Sequence, residues 1–171
     1  GRDNPQTATA LNALGVAHYA KANYVDAERL FRRCLEIQEK HLQTTSQAYA
    51  ATLNNLALVL AERGANSVEI TKLYADAVKI MESALGKDSP ELASVLLNWG
   101  TQMLDLPDIA KSLYAESYTI RNKVFGNNHP AVAESLAALG HAALELGESE
   151  YALRLAQESL DIRRKYFEAH H

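Results

Sequence analysis

The sequence predicts an all-α protein, a solenoid of four stacked antiparallel helical hairpins. Two observations carry this. One pattern recurs four times, as Leu11-Asn12-Ala13-Leu14-Gly15, Leu53-Asn54-Asn55-Leu56-Ala57, Leu96-Leu97-Asn98-Trp99-Gly100 and Leu136-Ala137-Ala138-Leu139-Gly140. Its leading leucines, at 11, 53, 96 and 136, are 42, 43 and 40 residues apart. A fixed period in this range marks units that cannot bury their apolar faces alone and must stack. Within each unit the apolar residues step by three and four, which places them on one face of a helix.

Four such units account for nearly all of the 171 residues, so the chain reads as one domain, 1–171, with repeats at 3–44, 45–88, 89–128 and 129–171. Apolar residues make up 47%, enough for a core. The net charge of −4 argues against non-specific nucleic-acid binding, which needs a basic surface. No run approaches the roughly 18 apolar residues of a membrane span. The start, Gly1-Arg2-Asp3-Asn4-Pro5, lacks the apolar stretch of a signal peptide. The single cysteine, Cys34, cannot form an intramolecular disulfide and suits a reducing compartment. Together these features point to the cytoplasm. The array begins almost at residue 1 and stops at a helix end, as an excerpt of a longer protein would. The terminal His170-His171 fits either a native end or the start of a tag.

Breakers and caps divide each unit into two helices. The expected helices are 8–22, 24–42, 46–63, 67–85, 90–104, 107–125, 130–146 and 149–168. Ala22-Asn23 breaks the first hairpin, after Leu11, Leu14, Gly15 and His18 and before Ala27, Leu30, Phe31, Cys34, Leu35 and Leu42. The others break at Arg63-Gly64-Ala65-Asn66-Ser67, Asp105-Leu106-Pro107-Asp108 and Leu146-Gly147-Glu148-Ser149. Gly suits the residue past a helix end, and Asn, Ser or Asp suit a helix start. Pro5, Pro90 and Pro130 open three first helices, and Pro107 is tolerated in a first turn.

Gly15, Ala57, Gly100 and Gly140 mark close approaches of the first helix to the second, where a larger side chain would push the pair apart. Ala27, Ala110 and Ala152 answer from the second helix. The second unit has Ile70 at that place after a turn longer by one, so its hairpin is expected to be splayed or locally rearranged. The third turn is shorter by two, and Pro107 can compensate by starting its helix abruptly. The last helix keeps Leu153, Leu155, Leu160, Ile162, Tyr166 and Phe167, more apolar residues than one interface requires.

The Leu-Gly pair followed by Ala27-x3-Phe31 or Ala110-x3-Tyr114 resembles the tetratricopeptide repeat (TPR). Tyr74 fits the same aromatic place, and Ala156 departs from it. The period of about 42 resembles the long repeats of kinesin light chain. Asn128-His129-Pro130-Ala131-Val132-Ala133-Glu134-Ser135-Leu136 and Ser159-Leu160-Asp161-Ile162-Arg163-Arg164-Lys165 carry that likeness, as does Ala51-Thr52-Leu53-Asn54-Asn55-Leu56-Ala57. Similar units occur in nephrocystin-like proteins and behind NB-ARC-type ATPase modules, of which this chain has no phosphate-binding loop. The resemblance implies a right-handed superhelix whose first helices line a concave groove.

No catalytic motif is present: no His-Glu-x-x-His, no Cys-x-x-Cys, no Gly-x-Gly-x-x-Gly and no Walker loop. The chain therefore reads as a non-enzyme with no cofactor and no metal. His18 reads as a satisfied, half-buried histidine, His129 as a turn cap, and Cys34 as core packing. Arg32-Arg33 and Arg163-Arg164-Lys165, interleaved with acids, read as a solvated outer face.

Carrying over the family's groove positions gives Thr9, Asn12, Val16 and Tyr19 in the first unit and Asn54, Asn55, Leu58 and Glu62 in the second. The third gives Ser94, Asn98, Thr101 and Asp105, and the fourth Glu134, His141 and Glu145. An amide offers a donor and an acceptor, so recurring asparagines can hold an extended peptide backbone. Asn12 and Asn54 read as groove amides. For Asn55 and Asn98 a bond to the neighbouring helix fits equally well. None of these positions is Lys or Arg, which argues against capture of a terminal carboxylate and for a neutral or basic protein segment. The expected function is a scaffold holding such a segment, without nucleic-acid or membrane binding. The alternatives are a self-association module forming a homo-oligomer through its uncapped terminal helices, and a regulatory domain of a larger NB-ARC-type ATPase.

Overall fold

A computed structural model describes residues 3–41 and 43–170. Leu42 and His171 lie outside the described residues, as does the side chain of His170. Eight helices follow in order: α1 (Pro5–Ala20), α2 (Tyr24–Lys40), α3 (Gln47–Glu62), α4 (Ser67–Leu85), α5 (Pro90–Thr101), α6 (Pro107–Phe125), α7 (Pro130–Glu145) and α8 (Ser149–His170). Among the described residues there is no strand, and the fold is an all-α solenoid. The chain forms two compact units, Gly1–Gly86 and Lys87–His171.

In the first unit α1 packs on α2, α2 on α3 and α3 on α4. In the second the same order runs from α5 to α8. Each first helix starts on a side-chain cap that accepts from an orphan backbone N–H. Asn4 accepts from Thr7 N at 2.8 Å, Ser46 from Tyr49 N at 3.1 Å, Ser89 from Leu92 N at 3.1 Å and His129 Nδ1 from Ala131 N at 3.1 Å. Proline occupies the first turn of α1, α5, α6 and α7, where its missing N–H costs nothing.

Three hairpins turn in the same way. Ala22, Gly64 and Gly147 adopt φ of 57°, 66° and 76°, and the next residue donates back to the last turn of the first helix. Those bonds are Asn23 N to His18 O, Ala65 N to Leu60 O and Glu148 N to Ala143 O, each 2.9 Å. The extra residue of the second hairpin, Asn66, caps α4 by accepting from Val68 N at 2.7 Å. Ile70 is buried there. The larger departure is in the third hairpin. Helix α5 ends at Thr101 rather than at 104, and Gln102 to Leu106 form successive tight turns. Gln102 N donates to Trp99 O at 2.9 Å and Leu106 N to Met103 O at 2.8 Å. The shortened connection is met by unwinding the end of the first helix.

A second repeating contact holds the layers. Ala8, Ala50, Ala93 and Ala133, each three residues before a leading leucine, are all buried. Opposite them, seven residues after Ala27, Ile70, Ala110 and Ala152, stand Cys34, Ala77, Ser117 and Ser159. Cys34 Sγ donates to Ala8 O at 3.1 Å, Ser117 Oγ to Ala93 O at 2.8 Å and Ser159 Oγ to Ala133 O at 2.7 Å. Cys34 also lies 3.6 Å from Thr52 Oγ1, and Ser117 Oγ lies 3.0 Å from Ser135 Oγ. A buried polar atom so satisfied fixes register without leaving a desolvated group.

Candidate functional site

In the first unit, the amides form a chain across α1 and α3. Asn54 Nδ2 donates to Asn55 Oδ1 at 3.2 Å, and Asn55 Nδ2 donates to Asn12 Oδ1 at 3.2 Å. All three side chains are half-buried. Asn55 thus makes the bond to the neighbouring helix, and its acceptor is Asn12 itself. Tyr19 is half-buried against Tyr24, ring centroids 5.7 Å apart. Burial pushes the Tyr19 hydroxyl pKa up, and the Glu62 carboxylate and Tyr24 add to this. Glu62 on α3 is exposed and close enough to act on Tyr19 of α1. Thr9 and Val16 are also exposed on α1, and Thr9 Oγ1 donates to Pro5 O at 3.2 Å. Leu58 is half-buried on α3.

In the second unit, Asn98 is half-buried on α5 and Thr101 ends that helix. Thr101 Oγ1 donates to Leu97 O at 3.0 Å and accepts from the Tyr114 hydroxyl at 3.3 Å. Asp105 lies in the turn after α5, and it is exposed. Glu134, His141 and Glu145 follow one another along α7, all exposed. Glu134 is tied down: its Oε2 accepts from Arg121 Nη1 at 2.8 Å.

Arg121 is the functional-looking residue that sequence reasoning missed. Its side chain is only 7% exposed. Nη1 reaches Ala131 O at 3.0 Å and Ser135 Oγ at 3.1 Å as well as Glu134, and Nη2 reaches Ser94 Oγ at 3.3 Å. It clamps α5, α6 and α7 and so serves packing. Its signal was the register, since Gln38, Met81 and Arg163 hold the same place on the other second helices.

Of the remaining histidines, His129 caps α7 as expected and stacks on Phe125 at 4.3 Å. His18 departs from expectation. Its buried Nδ1 has no hydrogen bond, and the Asp26 carboxylate stands 3.8 Å away, too far for one. Cys34 is fully buried, and burial pushes its thiol pKa up, as fits a packing role. Arg32 pairs with Glu28 at 2.8 Å and Glu69 at 3.0 Å, and Arg33 with Asp3 and Glu36, on the solvated face of α2. Among the described residues no helix is long and apolar enough to cross a membrane.

Tetratricopeptide repeat families match residues 7–47, 50–91 and 100–165. The chain belongs to the tetratricopeptide repeat family. This TPR chain is 26% identical over 151 residues to a clustered mitochondria protein homolog of Candida albicans, covering 87% of this chain and 11% of that protein. Its fold matches BtubC (BKLC) from P. vanneervenii with a TM-score of 0.88 at 19% identity, over 95% of this chain and 66% of that one. It also matches a variant of the nearly identical TPR-like repeats of a Podosopora anserina protein of kinesin light chain type, with a TM-score of 0.81 at 20% identity, over 98% and 80% of the two chains. The TPR fold of kinesin light chain type is thus established.

Proposed function

We propose that this chain is a non-catalytic scaffold that holds a peptide or partner segment on the faces of its first helices, α1 and α3 in one unit and α5 and α7 in the other. The observation that supports this best is the amide chain Asn54–Asn55–Asn12, which runs from α3 to α1. Asn12 accepts through Oδ1 and keeps two Nδ2 hydrogens that suit a backbone carbonyl of any sequence. Tyr19 adds apolar area with a polar tip. The charged groups at these positions are Glu62, Asp105, Glu134 and Glu145, so the favoured segment is neutral or basic. Glu134 already satisfies Arg121, which leaves Glu62, Asp105 and Glu145 to steer a ligand. Their exposure makes the steering a matter of association rate, weakened by salt because the Debye length is only about 8 Å at physiological ionic strength.

The test is a peptide-array screen followed by titration at two salt concentrations. Asn54→Ala should weaken every true ligand several-fold. Glu145→Lys should weaken only basic ones. An array that returns mainly acidic peptides would overturn the charge assignment. Ligands indifferent to both Asn12→Ala and Asn54→Ala would overturn the site.

A further inference from the structure

The first unit brings two tyrosine rings and a carboxylate to one place. Asn55 of α3 donates to Asn12 of α1, and that bond fixes the register of two helices that run the same way. Seven residues further along each helix, about two turns, come Tyr19 and Glu62. Two turns return a side chain to the same helix face, so Glu62 stands by Tyr19 as Asn55 stands by Asn12. Burial raises the Tyr19 hydroxyl pKa and the Glu62 carboxylate raises it further, as a neighbour does. Tyr24 opens α2 and sets its ring against Tyr19, centroids 5.7 Å apart and planes inclined at 51°. Both rings are half-buried and Glu62 is exposed. The group sits where the first hairpin meets the second, both within this unit. Among the described residues no cation pairs with Glu62 or stands over either ring, and Arg63, next to Glu62 in the chain, is taken by Glu28.

The second unit shows the same chemistry with its cation in place. Lys111 Nζ bonds both carboxylate oxygens of Glu148, at 2.6 and 2.5 Å, and stands 5.6 Å from the centroid of the Tyr151 ring. The Arg154 guanidinium lies 5.7 Å from the same centroid. There the chain supplies the cation that its ring and carboxylate share. Tyr19, Tyr24 and Glu62 supply the rings and the carboxylate alone. A ring face carries the negative part of the ring's quadrupole and attracts a cation seated against it, and a carboxylate beside the ring adds a charge-assisted bond. Given that the first helices hold a protein segment, we infer that Tyr19, Tyr24 and Glu62 seat one of its lysine or arginine side chains. The rings take the apolar stem as well as the charge, which a carboxylate alone could not do. Glu62 then holds the bound segment in addition to steering its approach.

The probe is a blocked lysine, N-acetyl-lysine methylamide, titrated into the full chain and followed by the NMR ring signals of Tyr19 and Tyr24. N-acetyl-norleucine methylamide, which lacks the ammonium group, is the control. The lysine compound should shift both rings, and its own ε-methylene protons should move upfield under the ring currents. The norleucine compound should bind about tenfold more weakly. Glu62→Gln, at an exposed position, should keep the parent's circular dichroism and weaken the lysine compound about two- to fivefold. Tyr24→Leu should weaken it about threefold, while Tyr24→Phe, which keeps a ring face, should retain most of the binding. Rings that do not respond to the lysine compound overturn the seat. So does a norleucine compound that binds as well, or a Glu62→Gln variant with unchanged affinity. The peptide array tests the groove and the single amino acid tests the seat, so either can fail while the other stands.

Discussion

The ring of Phe31 lies across Gly15 so closely that a β-carbon on Gly15 would stand 2.6 Å from Phe31 Cε1. Tyr114 covers Gly100 in the same way, at 2.6 Å. Gly140 differs: its nearest neighbours would be Ala152 O and Leu155 Cβ, each at 3.4 Å, because Ala156 supplies no ring. Alanine is favoured over glycine inside a helix by about 1 kcal/mol. At Gly15 and Gly100 the buried rings have nowhere to go, and overpacking costs about 1–3 kcal/mol. Gly15→Ala and Gly100→Ala should therefore destabilise, with Gly100→Leu worse still. Gly140→Ala should be neutral or stabilising by up to about 1 kcal/mol. Urea unfolding of the three alanine variants decides the matter. Equal losses at all three sites would show that the rings do not set the tolerance.

Ala22 is the one described residue other than glycine with a positive φ, at 57°. The matching turns use Gly64 and Gly147. A β-carbon in this conformation costs roughly 1–2 kcal/mol, and Ala22 is exposed, so its methyl group gains nothing from packing. Ala22→Gly should raise stability by about 1 kcal/mol. A lower melting temperature than the parent would refute this.

Arg121→Ala removes the donor for Ala131 O, Ser94 and Ser135 and should cost about 2–4 kcal/mol. Arg121→Met should recover part of that, since Met81 fills the same register on α4 and is buried. Glu134→Ala should cost under about 1 kcal/mol, because that carboxylate is 56% exposed. If Glu134→Ala proved as costly as Arg121→Ala, the ion pair and not the carbonyl and hydroxyl bonds would hold the clamp.

Burial pushes the Tyr49 hydroxyl up to about 12, helped by its bond to Glu39, and raises Tyr74, Tyr114 and Tyr118 too. The folded state then keeps protons that the unfolded chain gives up above the ordinary tyrosine value of 10.0. Their stabilisation is complete below that pH and is lost as pH rises through the folded values. Stability should fall steeply between about pH 10 and pH 12. Tyr49→Phe should flatten part of that fall. If the tyrosinate absorbance that Tyr49→Phe removes appears well before the parent's helical signal is lost, the burial of Tyr49 is contradicted.

The helices were legible because their punctuation is local. Prolines at helix starts, a side-chain cap beside Pro5, Pro90 and Pro130, and breakers at Ala22, Gly64 and Gly147 placed most boundaries within a few residues. The end of α5 was not legible, since Leu104 keeps the helical spacing while the short connection to Pro107 unwinds it. The close approaches were visible as Gly-Leu patterns, and Ala152 does meet Gly140, but over Gly15 and Gly100 the nearest neighbour is a ring and not the expected alanine. The ring four residues after Ala27 or Ala110 fills the space over the glycine. At the candidate site, the recurrence of asparagine was visible from spacing, but its pairing was not. A bond between Asn12 and Asn55 spans 43 residues of chain, and only the stacking of α1 and α3 brings it about. Arg121 escaped notice because a charged residue in a helical sequence looks solvated until the neighbouring helix is in place.

Cys34 is the sole thiol in the chain, sealed in the core and holding its proton through a bond to a main-chain oxygen. A maleimide or spin-label reagent should therefore leave the native protein unmodified. Cysteines introduced on the surface, one in each compact unit, would then be the only sites to take a label. Distances between such probes would track the bearing of one unit on the other as a ligand is added, with no background to subtract.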